Sequence, residues 1–491
     1  MNDNAFYKKS FKMLLMLVAA LLLSRFTNGL FCFVLVMIGV VGAFSNKTGL
    51  AICMFALLSV FIGTNPYILP KGSAAWNYSL RLGMLAISVS LALGGVRRVG
   101  NHRLPFIGLI PFLCVAIISS INGYLPGVSL AKILNYFLFM LGVWLGTQNL
   151  QKYPKDAEMI RAFFFATAAF FILGSAVLRL FPAISYMSTM SLTRSIGAEE
   201  AEAAFRDLIA SGGRSLFCGM FNHSQTLGGI VPEIMMWVLC DMLFVEKRVR
   251  LPHLVIVFVS LPLLLMSRSR VAFTIAAGGL CMTYFYTMNM IGVEARLKQH
   301  LKNGMFIFLT MLVAGAIVLE IRGDTMSKWL RKTNDVEADD RSLVEAMTSS
   351  RMGLIEESME DFRMNPAFGM GFQVSRWNAY YLKDAEGLIL TAPIEKGVLP
   401  VMVLGETGVI GFIFFIVFLI TFYVSAIQRR LFVAATMFTL ILIGNMGEAE
   451  FFSPGGTGSF KWIFTVVGGF IIDTHLLYER NESRRRLEYG W

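Results

Sequence analysis

The sequence predicts an all-α, polytopic integral membrane protein of about 14 transmembrane helices with one large extracytoplasmic helical loop. Three observations predict it. Apolar runs of roughly 15 to 25 residues recur along the chain, separated by short charged segments. The 491 residues are 56% hydrophobic and 15% charged, with mean hydropathy +0.64, whereas a soluble domain carries about 25% charged residues. The basic loops fall on alternate connections, as successive membrane crossings require.

In chain order the expected spans are 12–26, 29–44, 48–63, 80–95, 104–121, 129–147, 159–181, 226–245, 251–266, 271–291, 304–320, 398–424, 431–447 and 459–474. Ser24-Arg25 interrupts the first two. The first run follows Lys8, Lys9 and Lys12, and no small-residue cleavage pattern follows it, so it reads as a retained helix rather than a removed signal peptide. Residues 1–320 thus hold eleven spans with an outer loop at 182–225, residues 321–397 form the large outer loop, 398–474 hold three further spans, and 475–491 are a basic tail.

A cytoplasmic N-terminus puts Arg97-Arg98, Lys152 to Arg161, Glu246 to Arg250, Arg296 to Lys302, Arg429-Arg430 and Arg484-Arg485-Arg486 on the inner side, as the positive-inside rule requires. These loops account for the net charge of +11 without a nucleic-acid partner. Five of the six cysteines lie in apolar runs as small core residues, and Cys218 falls in a loop. No disulfide framework, CxxC pair or ordered set of metal ligands occurs, and no cofactor is implied.

The large outer segment, Ile321 to Gly397, carries 10 Lys+Arg and 13 Asp+Glu, a net charge of −3. Within it Leu343, Val344, Met347, Leu354, Ile355, Met359 and Phe362 recur at helical spacing, with Arg351 on their face. A second amphipathic piece covers 198–210. Ser267-Arg268-Ser269-Arg270 is a short turn between two spans. The charge rule places it outside, where two arginines are an exception. The preceding 251–266 run reaches about 24 Å against a hydrocarbon core of about 30 Å, so the turn is expected below the outer surface. Arginine offers a planar fork of donors that matches phosphate at two points. Arg214, Arg268, Arg270 and Arg351 are therefore candidate diphosphate ligands, the competing reading of each being a snorkelling or ion-paired surface residue.

Four stretches carry a resemblance. Gly213-Arg214-Ser215 runs on to Gly219 and Asn222-His223. Ser267-Arg268-Ser269-Arg270-Val271-Ala272 follows. Arg351 precedes Asn365-Pro366-Ala367-Phe368-Gly369-Met370-Gly371-Phe372, and Leu404-Gly405-Glu406-Thr407-Gly408-Val409-Ile410-Gly411 opens a span. Their order and spacing resemble the O-antigen ligase and O-antigen polymerase superfamily of membrane glycosyltransferases. The resemblance implies a GT-C-like fold in the bacterial inner membrane, with both termini cytoplasmic and the active site facing the periplasm. It implies transfer of a glycan from undecaprenyl diphosphate to the hydroxyl of an acceptor sugar. Arg214 and Arg270, with Arg351, would hold the diphosphate. Where ligases of the family carry a histidine before the Glu-x-Gly, this sequence has Gly397, next to Glu395-Lys396, and no histidine occurs between His300 and His475. Glu395 is then the candidate general base, the alternative being a solvated loop acid. Lys396 would bind the diphosphate or pair with Glu395.

Lesser candidates are His223, as a cavity residue or a helix cap, and Glu450 with Glu448, on acceptor sugar or on the arginines. Glu233 is expected to face protein or water rather than lipid. Glu406 reads as a buried structural partner. Trp377, Tyr380 and Tyr381 are either sugar-stacking or interfacial aromatics. The missing histidine favours a polymerase in O-antigen, capsule or exopolysaccharide synthesis, acting with membrane lipids and a chain-length regulator. The alternatives are a ligase acting on lipid A core and, from another class, a lipid-linked oligosaccharide flippase. Transporters usually show paired repeats, and no second-half echo is visible here.

Overall fold

The computed structural model of the chain describes residues 3–65, 67–69, 74–96, 106–147, 150, 154–181, 184, 217–267, 269–289, 298–299, 302–303, 343–374, 397–447, 450–453 and 457–489. Among these residues the architecture is all-helical, with one isolated bridge between Thr64 and Phe221. The longer helices are α1 (Asp3–Phe26), α2 (Phe31–Phe44), α3 (Thr48–Gly63), α4 (Ala74–Val96), α5 (Leu109–Ile121), α6 (Pro126–Thr147) and α7 (Pro154–Leu178). They continue with α8 (Ser224–Cys240), α9 (Leu251–Ser267), α10 (Arg270–Asn289), α11 (Leu343–Met364), α12 (Leu399–Gln428) and α13 (Phe432–Asn445). A short α14 (Thr457–Lys461) joins α15 (Gly468–Tyr489) through a π-helical turn, Trp462–Val467, and a second π-helical turn, Asp241–Glu246, extends α8.

Among the described residues, six helices are long and apolar enough to cross a membrane: Pro126–Thr147, Pro154–Leu178, Ser224–Glu246, Val271–Met288, Leu399–Gln428 and Gly458–Asn481. Shorter apolar helices of 10–17 residues cover Phe31–Phe44, Thr48–Gly63, Ser79–Gly94, Leu109–Ile121, Leu251–Ser267 and Phe432–Asn445. The expected span 304–320 and the amphipathic piece at 198–210 lie outside the described residues; every other expected span falls on a helix.

The surface of α12 explains why these helices belong in lipid. Ile413, Ile416, Val417, Ile420, Val424 and Ile427 are exposed, three or four residues apart, and form one apolar stripe. The opposite face buries Phe415, Phe418, Phe422 and Ala426. A helix apolar on both faces, with one of them outward, is stable against hydrocarbon and costly in water. α3 is the contrasting case, buried over nearly its whole surface, and is a core helix of the protein.

Several boundaries depart from the sequence reading. Ser24-Arg25 does not end α1, which runs to Phe26; the break is made by Asn28 (φ 49°) and Gly29 (φ 89°), residue types that tolerate left-handed backbone. α5 starts only at Leu109, because a tight turn, Leu109 N to Phe106 O at 3.0 Å, precedes it. The tail beyond 474 continues helical to Tyr489.

The chain forms two compact units. The first comprises Met1–Gly63, Leu69–Thr167 and Gly353–Trp491, and the second Thr64–Ile68 and Ala168–Met352. In the first, α4 packs on α2 and α6, α5 on α12, and α13 on α15. In the second, α8 packs on α9 and α10.

Candidate functional site

The centre of the first unit is a break in α12. Gly408 has φ 65° and ψ −169°, a conformation essentially restricted to glycine. An unbroken helix would pair Val409 N with Gly405 O and Ile410 N with Glu406 O. Here both donors go elsewhere, Val409 N to Pro366 O at 2.8 Å and Ile410 N to Ala367 O at 3.2 Å. The two carbonyls accept instead from Met370 N at 3.0 Å and Gly371 N at 3.1 Å. Four backbone groups of the helix thus exchange partners with one loop, 365–374. Non-helical backbone at membrane depth persists only where such partners exist.

The loop is pre-shaped for the exchange. Asn365 Oδ1 accepts from Phe368 N at 3.3 Å, and Asn365 O accepts from Gly369 N at 2.8 Å. Gly369 (φ 72°), Gly371 (φ 114°) and Gln373 (φ 55°) turn the chain. α5 and α6 supply its floor. Ser119 Oγ accepts from Gly371 N at 3.1 Å and donates to Glu406 O. Ser120 Oγ accepts from Phe372 N at 3.3 Å, and Ser129 Oγ donates to Phe372 O at 2.7 Å. The buried Lys132 ammonium donates to Gln373 O at 2.9 Å. Tyr124 donates its backbone N–H to Met370 O at 3.2 Å and its hydroxyl to the buried Asp361 carboxylate of α11 at 2.8 Å. The Phe372 ring is enclosed by Phe112, Tyr136 and Phe452, with ring centres 5.1 to 6.3 Å away.

All four donors and acceptors named at the break are used within the protein. The break is therefore a rigid frame rather than an anion cradle. Glu406 sits inside it, 1% exposed, as the sequence reading expected of a buried structural residue. The frame fixes both flanks of the segment that holds Glu395 and Lys396. On one side Val374 is fully buried; on the other Gly397 (φ 76°) packs against Leu354 and Ile355 of α11, and Leu399 is buried as α12 begins. Leu354, Ile355, Met359 and Phe362, expected as the buried face of α11, are half-buried around the more deeply buried Ser358 and Asp361.

Arg214, Arg268, Glu395 and Lys396 lie outside the described residues, as do Glu448, Trp377, Tyr380 and Tyr381. Arg351 lies within α11. Glu450 pairs with Lys461, Oε2 to Nζ 2.9 Å. In the second unit Arg270 is the first residue of α10, as expected. The turn before it is buried: Ser267 is 0% and Ser269 8% exposed. Ser267 Oγ donates to Leu264 O at 2.7 Å and accepts from Ser269 N at 3.2 Å. His223 takes the capping role, its Nδ1 accepting from Gln225 N at 2.9 Å at the start of α8. Glu233 is 1% exposed and so faces protein.

The sequence reading passed over four intramembrane ionisable groups. Lys132 serves the frame, and His253 Nε2 lies 2.9 Å from Asp241 Oδ2, with both side chains fully buried. Asp473 of α15 accepts from Val433 N at 3.0 Å and Ala434 N at 2.8 Å and so caps α13. The available signal was a charge within or at the end of an apolar run. Among the described residues no three His, Cys, Asp or Glu side chains stand together as metal ligands. No protein-family model matches the chain, and no curated protein matches it.

Proposed function

We propose that this protein is a membrane glycosyltransferase that moves a glycan from undecaprenyl diphosphate to an acceptor sugar hydroxyl on the periplasmic face of the bacterial inner membrane. The polymerase-type reaction is favoured over ligation to lipid A core by the absence of a histidine at Gly397. The acceptor oxygen attacks the anomeric carbon, the bond from that carbon to the diphosphate oxygen breaks, and the hydroxyl proton passes to Glu395. Arg214 and Arg270, with Arg351, carry the charge of the departing diphosphate.

The observation that carries this reading is the frame in the first unit. The two stretches that bear the family likeness there, 365–372 and 404–411, are bonded to each other backbone to backbone, and Gly397 is held against α11 two residues after Glu395. Such a frame is what a base on a loop needs to be held within reach of one hydroxyl.

The test is turnover by purified protein of a defined undecaprenyl-diphosphate oligosaccharide. Laddered lipid-linked products are expected; transfer only to a distinct acceptor would mean ligation. Arg270→Ala should lower turnover by about 10²–10³-fold with folded protein retained. Glu395→Gln should slow the chemical step by about 10²–10⁴-fold with donor binding little changed. Near-normal activity in both variants would sink the assignment. A broken helix is also a transporter feature, which favours a flippase as the second reading. Donor movement across proteoliposomes without transfer would establish that class instead.

A further inference from the structure

We propose that Asn65, two residues after α3, is a positioning residue for Arg214: its one side-chain amide ties together the two ends of the outer segment that carries Arg214. The inference rests on the diphosphate role given to Arg214 above.

Asn65 is fully buried. Its Nδ2 donates to Ile184 O at 2.9 Å and to Gly219 O at 2.9 Å, and its Oδ1 accepts from Tyr67 N at 3.0 Å. The network fixes the orientation of the amide, because two carbonyls need donors and one N–H needs an acceptor. Two carbonyls cannot bond each other, so a shared donor is what joins them. Asparagine supplies both N–H groups and the acceptor from one short side chain. Aspartate has no donor, and serine has one.

Asn65, Ile184 and Gly219 all belong to the second unit. Ile184 follows α7, and Gly219 precedes α8. The chain therefore leaves this unit and returns to it at one place, on either side of Asn65. Arg214 lies outside the described residues and five residues before Gly219. Five residues reach at most about 18 Å, so the tie limits where Arg214 can stand.

The returning end has further anchors. Asn65 N donates to Met220 O at 2.8 Å, and Ser175 Oγ accepts from Met220 N at 3.0 Å. The Phe221 ring stacks on Phe171 with centres 4.4 Å apart. None of these uses the Asn65 side chain. Removing its amide therefore releases Ile184 from Gly219 while Met220 and Phe221 stay attached ahead of α8. A segment held at one end has more conformations, and placing Arg214 on a diphosphate then costs more entropy. Asn65 acts through Arg214 and touches no substrate itself.

The test is a double-mutant cycle read by binding of undecaprenyl diphosphate to the purified full-length protein in detergent. Asn65→Ala should weaken binding about tenfold in the wild-type background, and less than about twofold in the Arg214→Ala background. A merely structural residue would cost the same factor in both. With Arg214→Ala itself weakening binding, an equal loss in both backgrounds, or wild-type binding in Asn65→Ala, would overturn the positioning role alone. Wild-type binding in Arg214→Ala would instead overturn the diphosphate reading of Arg214, and this inference with it. If Asn65→Ala fails to fold, Asn65→Ser, which keeps one donor, takes its place in the cycle. Loss of folded protein in both would assign Asn65 to the core and overturn the proposal.

Discussion

The break in α12 and the turn between α9 and α10 are both interruptions of apolar helix, yet they are held in opposite ways. The turn is closed locally: Ser267 reaches three residues back and two forward through its own hydroxyl. The break is closed from a distance, by the carbonyls of Pro366 and Ala367 and the amides of Met370 and Gly371, some 40 residues upstream. A local closure depends on one side chain and tolerates its loss. A remote closure depends on backbone shape, and only residues that permit that shape maintain it.

Substitutions ranked by size would break or sharpen this contrast. Gly408→Ala carries the largest expected effect, because its φ of 65° excludes a side chain and a Cβ would strike the Ala367 carbonyl and Phe368 N. A loss of about 3–5 kcal/mol is expected, read as a collapse of thermal stability in detergent. Gly228→Ala in the second unit places a Cβ against Ser269 and should cost about 1–3 kcal/mol by the same assay. Tyr124→Phe removes the hydroxyl from Asp361 and should cost about 1 kcal/mol while leaving the backbone ladder intact. Ser267→Ala should cost about 0.5–1 kcal/mol, since water or a neighbouring group can serve the Ser269 amide. If Ser267→Ala proved as damaging as Gly408→Ala, the distinction between local and remote closure would fail.

The helices were legible in the sequence because long apolar runs favour helix, but which of them face outward was not, since α3 is as apolar as the rest and is buried over nearly its whole surface. The loop 365–374 was legible as a stretch, through Asn365-Pro366 and its glycines, but not as the partner of α12. Nothing in a list of residue types says that the amide of Val409 abandons Gly405 for Pro366; that choice is a property of two segments meeting. Glu406, read as a buried structural partner, is 1% exposed, as a carboxylate within an apolar run must be if it does not face lipid. Lys132, Asp241 and Asp473 were missed because a single charge in an apolar run does not reveal its partner, whether Gln373 O, His253 or the first amides of α13. The pairing of Glu450 with Lys461 was hidden for the same reason.

The Asp473 cap has a consequence for the order in which the chain is built. The amides of Val433 and Ala434 emerge from the ribosome 40 and 39 residues ahead of the carboxylate that satisfies them. Until α15 is synthesised, the start of α13 presents uncapped donors. Water can serve them at the membrane surface, but the hydrocarbon core cannot. The start of α13 is therefore expected to stay at an aqueous boundary, beside Arg429-Arg430, until α15 supplies the carboxylate. A released chain truncated before Asp473 should leave engineered cysteines at the start of α13 accessible to water-borne thiol reagents, and the full-length chain should close that access.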